Sequence, residues 1–82
     1  MYTVYIIKSK ENHIYTGQTN NLIRRINEHN SGNSKWTKRG SDWKIVYLEN
    51  YDSRIDACKR EKWLKGGSGR EWLKRELIEL GS

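Results

Sequence analysis

Tyr2-Thr3-Val4-Tyr5-Ile6-Ile7-Lys8 is the stretch whose reading decides the fold. β-Branched and aromatic residues fill it, which favours a strand. Both alternating faces are apolar or aromatic: Tyr2, Val4 and Ile6 on one, Thr3, Tyr5 and Ile7 on the other. Such a strand belongs in the middle of a sheet that is covered on both sides. The polar run Ser9 to Asn12 is turn material. His13 to Gln18 then predicts a second short strand, antiparallel to the first. A turn centred near Lys10 sets Tyr5 and Tyr15 close to opposite each other on neighbouring strands, where side chains meet.

Further along, Asn20 or Asn21 caps a helix that runs to about Asn30, and Gly32 follows as a stop signal. Asn33 to Asp42 reads as a polar, basic loop. Trp43 to Tyr51 reads as a third strand. Ser53 with Asp56 forms a capping box for a helix to about Lys65, which Gly66 and Gly67 end. Ser68 with Glu71 forms a second capping box, opening a last helix to about Leu80. The order is β-β-α-β-α-α, and 82 residues predict one α+β domain over 1–82.

The chain carries 16 Lys and Arg against 10 Asp and Glu, a formal charge of +6. A small basic domain points to an anionic partner, most often nucleic acid. Cys58 is the only cysteine, so an internal disulfide and a thiolate zinc cluster are both excluded. The start has no basic region followed by a long apolar run, and no stretch approaches a transmembrane length. A cytoplasmic location and no membrane partner are therefore expected.

Candidate chemistry comes from the helices. On a wheel of 100° per residue, Arg25 and His29 fall within about 60° of Leu22, which with Ile26 defines the buried seam. Arg24 and Glu28 point well away. Arg25 is thus aimed at the sheet, where a guanidinium needs an anion. Two readings are open: a structural pair with a carboxylate, or a phosphate clamp. His29 is either a core residue bonded to a backbone carbonyl or a group for proton transfer. Glu61 stands inside the apolar seam of Ala57, Cys58 and Leu64, where a carboxylate rarely sits without a partner. It is either paired with Arg25 or Lys65, or holds a divalent cation. Each tyrosine read alone is a core residue. A catalytic tyrosine would need nearby positive charge to favour its anion.

These residues fall in a pattern. Val4-Tyr5-Ile6, then Ile14-Tyr15-Thr16-Gly17, then Asn21-Leu22-Ile23-Arg24-Arg25-Ile26 and Glu28-His29-Asn30 together resemble the GIY-YIG nuclease domain. Ala57-Cys58-Lys59-Arg60-Glu61 resembles that family's metal-carboxylate helix. The likeness runs from Tyr2 to about Leu80. It is strongest to small single-domain members related to the nuclease domain of the excision-repair incision subunit. The resemblance implies a small three-stranded antiparallel sheet flanked by helices. It also implies an endonuclease that hydrolyses DNA with one Mg²⁺ or Mn²⁺, through water activated at a tyrosine.

By position, Tyr5 and Tyr15 match the two motif tyrosines, either of which takes the base role in different members. Arg25 would stabilise charge on the phosphorus centre, His29 would assist by hydrogen bonding or proton transfer, and Glu61 would hold the metal. Gly17 would let the backbone turn closely into the next segment. The chain departs from the pattern in three places. Thr3 replaces the first motif glycine, Gln18 stands where several relatives have lysine, and no Asn follows Glu61. Lys35, Trp36, Lys38 and Arg39 are candidate nucleic-acid contacts, reading backbone rather than base edges. Weak sequence specificity follows, and a partner protein supplying targeting is possible. The alternative is a nucleic-acid-binding module of the same fold with little or no turnover.

Overall fold

A computed structural model describes residues 1–32 and 40–80, with side chains as far as residue 76. The basic stretch Lys35, Trp36, Lys38 and Arg39 lies outside the described residues. The elements are β1 (Tyr2–Lys8), β2 (Ile14–Thr19), α1 (Leu22–Asn30), β3 (Lys44–Tyr51), α2 (Arg54–Lys65) and α3 (Gly67–Leu80). The three strands form one antiparallel sheet in the order β2-β1-β3, so the doubly apolar strand is central as its pattern predicts.

The two faces of β1 feed two cores. Val4 and Ile6 pack with Ala57 and Leu64 of α2 and Leu73 of α3. Tyr5 and Ile7 pack with Trp43, and Leu22 and Ile26 of α1 close over them. All four β1 residues from Val4 to Ile7 are fully buried. A register shift between Ile6 and Ile7 in the β1–β3 pairing marks a bulge on β3. Beyond it, neighbouring Val46 and Tyr47 both reach the first core, which a regular strand would not allow.

The hairpin differs from the expected register. Tyr5 pairs with Gly17, and Tyr15 pairs with Ile7. The turn centres on Glu11 rather than Lys10, with Asn12 taking the left-handed conformation at φ 71°. The slip is two residues, one full strand period, so Tyr15 keeps the face shared with Tyr5 and moves to the diagonal position.

Helix ends mostly follow the sequence. The Asn21 side chain accepts a bond from the Arg24 amide, and Ser53 accepts from the Ile55 amide. The last helix differs: α3 already begins at Gly67, leaving only Gly66 outside the two helices. A Cβ on Gly69 would stand 2.0 Å from the Trp63 carbonyl oxygen, so the tight α2–α3 corner itself demands glycine there. Two further pairs of hydrogen bonds fix the frame. The Asn30 side chain donates to the Trp43 carbonyl and accepts from its amide at 3.2 and 2.7 Å, tying the end of α1 to the start of β3. Arg60 donates to both Glu49 oxygens at 2.9 and 3.0 Å, locking α2 to β3. Tyr47 and Tyr51 donate to the same carboxylate. The Arg60 guanidinium lies over the rings of Trp63 and Trp72, and this anchor fixes the turn of α2 that carries Glu61.

Candidate active site

Tyr5, Tyr15 and His29 form one aromatic cluster. Ring centroids are 6.2 Å apart for the two tyrosines, and 5.8 and 4.9 Å from His29 to Tyr5 and Tyr15. The Tyr5 hydroxyl and His29 Nε2 share a 2.8 Å hydrogen bond. His29 therefore meets a phenol at this nitrogen rather than the backbone carbonyl of its structural reading. The Arg25 charge acts on both phenols. The guanidinium also pairs with Glu28 at 3.1 Å, the carboxylate pair of its structural reading. Glu28, expected to face solvent, curls back and accepts from Arg24 and Arg25 at once. The wheel distinguishes the two arginines correctly: the Arg24 side chain is 77% exposed and that of Arg25 is 32% exposed.

Gly17 has a different purpose from the one its motif suggested. It lies inside β2, directly opposite Tyr5, and needs no unusual backbone. A Cβ there would come within 2.7 Å of the Tyr5 oxygen and 2.9 Å of the Tyr15 ring. The absent side chain is the space through which Tyr5 crosses toward the sheet edge. Gly17→Ala is expected to displace two packed rings and lose about 1–3 kcal/mol of stability, measured by denaturant unfolding. An unchanged midpoint would show that the rings have room to give.

Glu61 and Lys65 enter from α2, which packs on the other side of the sheet from α1. They meet the tyrosines along β2, the edge strand. Lys65 Nζ donates to Glu61 Oε2 at 2.7 Å and sits 5.9 Å from the centre of the Tyr15 ring. The Glu61 charge acts on the Tyr5 phenol. Of the two partners the sequence left open, Lys65 is the one found. Among the described residues no three His, Cys, Asp or Glu side chains gather as a metal-ligand cluster. Glu61 nonetheless fits a hydrated divalent ion: it is one carboxylate, half-buried, and already seats a cation on one oxygen. Mg²⁺ commonly uses one or two carboxylates and keeps several waters.

Burial sets the protonation states. It pushes the Tyr5 phenol up to about 12 against the opposing pull of Arg25, so Tyr5 rests neutral. Burial, helped by the Arg25 charge, pushes His29 down to about 4, so the imidazole also rests neutral. A neutral imidazole with its proton on Nδ1 accepts a hydrogen bond from the Tyr5 hydroxyl at Nε2, and the Arg25 charge acts on the same phenol. Because the folded pKa lies below the ordinary 6.5, the unfolded chain binds this proton first. Stability is full above pH 6.5 and falls as pH drops toward 4, by about 2 kcal/mol at pH 5. Urea unfolding between pH 6.5 and 5 is expected to show this slope in the wild-type chain and a flatter one in His29→Gln. Parallel slopes would place the acid sensitivity elsewhere.

A groove opens beside this cluster along β2. Tyr15, Trp43 and Leu73 contribute apolar surface, and Lys65, Arg70 and Lys74 bring positive charge. Arg70 and Lys74 escaped the sequence reading, and Lys65 entered it only as a partner for Glu61. Their signal was the i, i+4 spacing of Arg70 and Lys74 on α3. It had no meaning until the α2–α3 corner brought that face beside Lys65. The departures from the motif lie beside the cluster and have local partners. Thr3 donates to Asn50 at 2.8 Å, and Gln18 donates to the Cys58 sulfur at 3.4 Å.

Sheet topology, paired tyrosines and the helix-borne arginine and carboxylate together define a recognisable class of domain. A family model described as the GIY-YIG catalytic domain matches residues 1–75, and the chain belongs to that family. Within it, the similar proteins are small. A UPF0213 protein of Staphylococcus haemolyticus is 42% identical over 72 residues, covering 87% of this chain and 88% of its own length. A UPF0213 protein of Staphylococcus saprophyticus is 38% identical, covering 95% and 94% of the two chains. The solution NMR structure of a UPF0213 protein from Bacillus halodurans superposes with a TM-score of 0.59 at 30% identity, covering 99% of this chain and 88% of that one. The family is a nuclease family, which implies a nucleic-acid substrate. No helix among the described residues is long and apolar enough to cross a membrane.

Proposed function

We propose that this chain, acting as one domain over residues 1–82, is a divalent-metal-dependent endonuclease that hydrolyses DNA phosphodiester bonds with weak sequence specificity. The observation that carries this is the convergence of Tyr5, Tyr15, Arg25 and His29 on one another, with Glu61 facing them from the opposite layer.

The two tyrosines are not equivalent. Tyr5 is fully buried and its hydroxyl is engaged by His29. Tyr15 is partly exposed and borders the groove. Tyr15 is therefore the base. As the water oxygen bonds to phosphorus, the water proton passes to the Tyr15 oxygen and the Tyr15 hydroxyl proton passes on to solvent in the groove, while the bond from phosphorus to the leaving sugar oxygen breaks and that oxygen takes up a proton from solvent. Tyr5 and His29 hold Tyr15 in place. Arg25, always charged, offsets the negative charge that builds on the phosphoryl oxygens. Glu61 would hold the Mg²⁺ or Mn²⁺ ion, which supplies Lewis-acid stabilisation of the phosphate. The cations of the groove take the nucleic-acid backbone, which carries no base information, hence the weak specificity.

Purified protein incubated with plasmid and branched DNA in Mg²⁺ or Mn²⁺ tests this reading. Cleavage by the wild-type chain and its loss in Glu61→Gln supports it, whereas equal residual cleavage in both assigns the activity to a contaminant. One observation favours a second reading, a binding module without turnover: an ammonium already neutralises Glu61. That reading requires salt-dependent DNA affinity that survives Glu61→Gln, with no cleavage by either protein.

A further inference from the structure

Lys65 sits where a bound divalent ion would have to compete with it. Its ammonium is 2.7 Å from Glu61 Oε2, and the pair is one helical turn apart on α2. The Glu61 side chain is 22% exposed and that of Lys65 is 49% exposed, so the lysine is free to swing where the carboxylate is held. The same lysine lines the groove with Tyr15, Arg70 and Lys74, and its ammonium lies near the Tyr15 ring. Arg25 is differently placed, being paired with Glu28 on α1.

We propose that Lys65 is a resident cation on Glu61 that a divalent ion displaces, after which its ammonium turns into the groove and meets the nucleic-acid backbone. This rests on the metal reading given above for Glu61. The physical reason is charge. One carboxylate cannot keep both an ammonium and a divalent ion close, because like charges at short range repel. The ammonium is the mobile member: a compact charge on a flexible four-carbon stem. Displacement moves it toward the next available anion, the phosphate backbone in the groove. Lys65 is thus a positioning residue. It holds the carboxylate in the metal-free state and couples metal loading to grip on the substrate.

Mn²⁺ alone, titrated into the full chain and followed by the electron paramagnetic resonance of the free ion, reads the first half. Lys65→Met removes the competitor, so it is expected to bind Mn²⁺ about two- to fivefold more tightly than wild type, the range that loss of one partly exposed ion pair gives. Glu61→Gln should lose this binding. The second half is read from the salt dependence of binding to a phosphorothioate-protected oligonucleotide. With Mn²⁺ present, Lys65→Met should flatten the slope by about 0.7–0.9, one phosphate contact. With chelator present, the slopes should agree. Lys65→Gln, checked for folding by circular dichroism, should repeat both results. Equal or weaker Mn²⁺ binding by both Lys65 variants, with binding still lost in Glu61→Gln, overturns the displacement and leaves the metal reading standing. Equal Mn²⁺ binding by wild type and Glu61→Gln removes the metal reading as well.

Discussion

Glu61→Gln is expected to lower cleavage by at least about a thousandfold while leaving the fold in place. Lewis-acid stabilisation by a metal ion contributes several kcal/mol in the transition state, and each 1.36 kcal/mol is about tenfold in rate. Gln keeps the shape and a hydrogen-bonding oxygen but not the charge. The structural loss is small, because the ion pair given up is a partly exposed i, i+4 pair. Such pairs contribute about 0.3–0.5 kcal/mol. Single-turnover cleavage and denaturant unfolding, measured on the same preparation, separate the two effects. Cleavage within tenfold of wild type would mean that Glu61 holds no catalytic ion.

The second large effect concerns the tyrosine pair. Tyr15→Phe is expected to lower cleavage by about 10²–10⁴, the range for removing a positioned base. Tyr5→Phe should cost less in rate and more in stability. It removes the 2.8 Å bond to a buried imidazole nitrogen, worth about 1–2 kcal/mol. Rates compared at equal folded fraction decide between the two. If Tyr5→Phe proves the more damaging at that comparison, the base is Tyr5, and the groove-facing position of Tyr15 has misled.

Much of this was legible before any coordinates. The two apolar faces of β1 placed it in the middle of the sheet. The helical wheel separated Arg25 from Arg24 and singled out Glu61, because a period of 3.6 needs no tertiary information. The hairpin register differs from the sequence expectation by two residues. Its turn contains only polar residues, and its centre depends on Asn12 adopting a left-handed conformation that no pattern announces. The difference is harmless to the site because strands repeat every two residues. The i, i+4 spacing puts Lys65 among the candidate partners of Glu61, but the groove itself is illegible for a different reason. Arg70 and Lys74 look like ordinary solvated residues, and only the sharp corner at Gly66 and Gly69 gives them a common face with Lys65.

The lodging of α1 and α2 on opposite sides of the sheet has one more consequence. Arg25 and His29 arrive with one layer, Glu61 and Lys65 with the other, and the tyrosines belong to the wall between them. No hairpin, helix pair or half-built intermediate holds the full set. On the proposed reading, a chain still emerging from the ribosome lacks the full set until α2 has docked on the sheet, so folding itself would act as the safety catch.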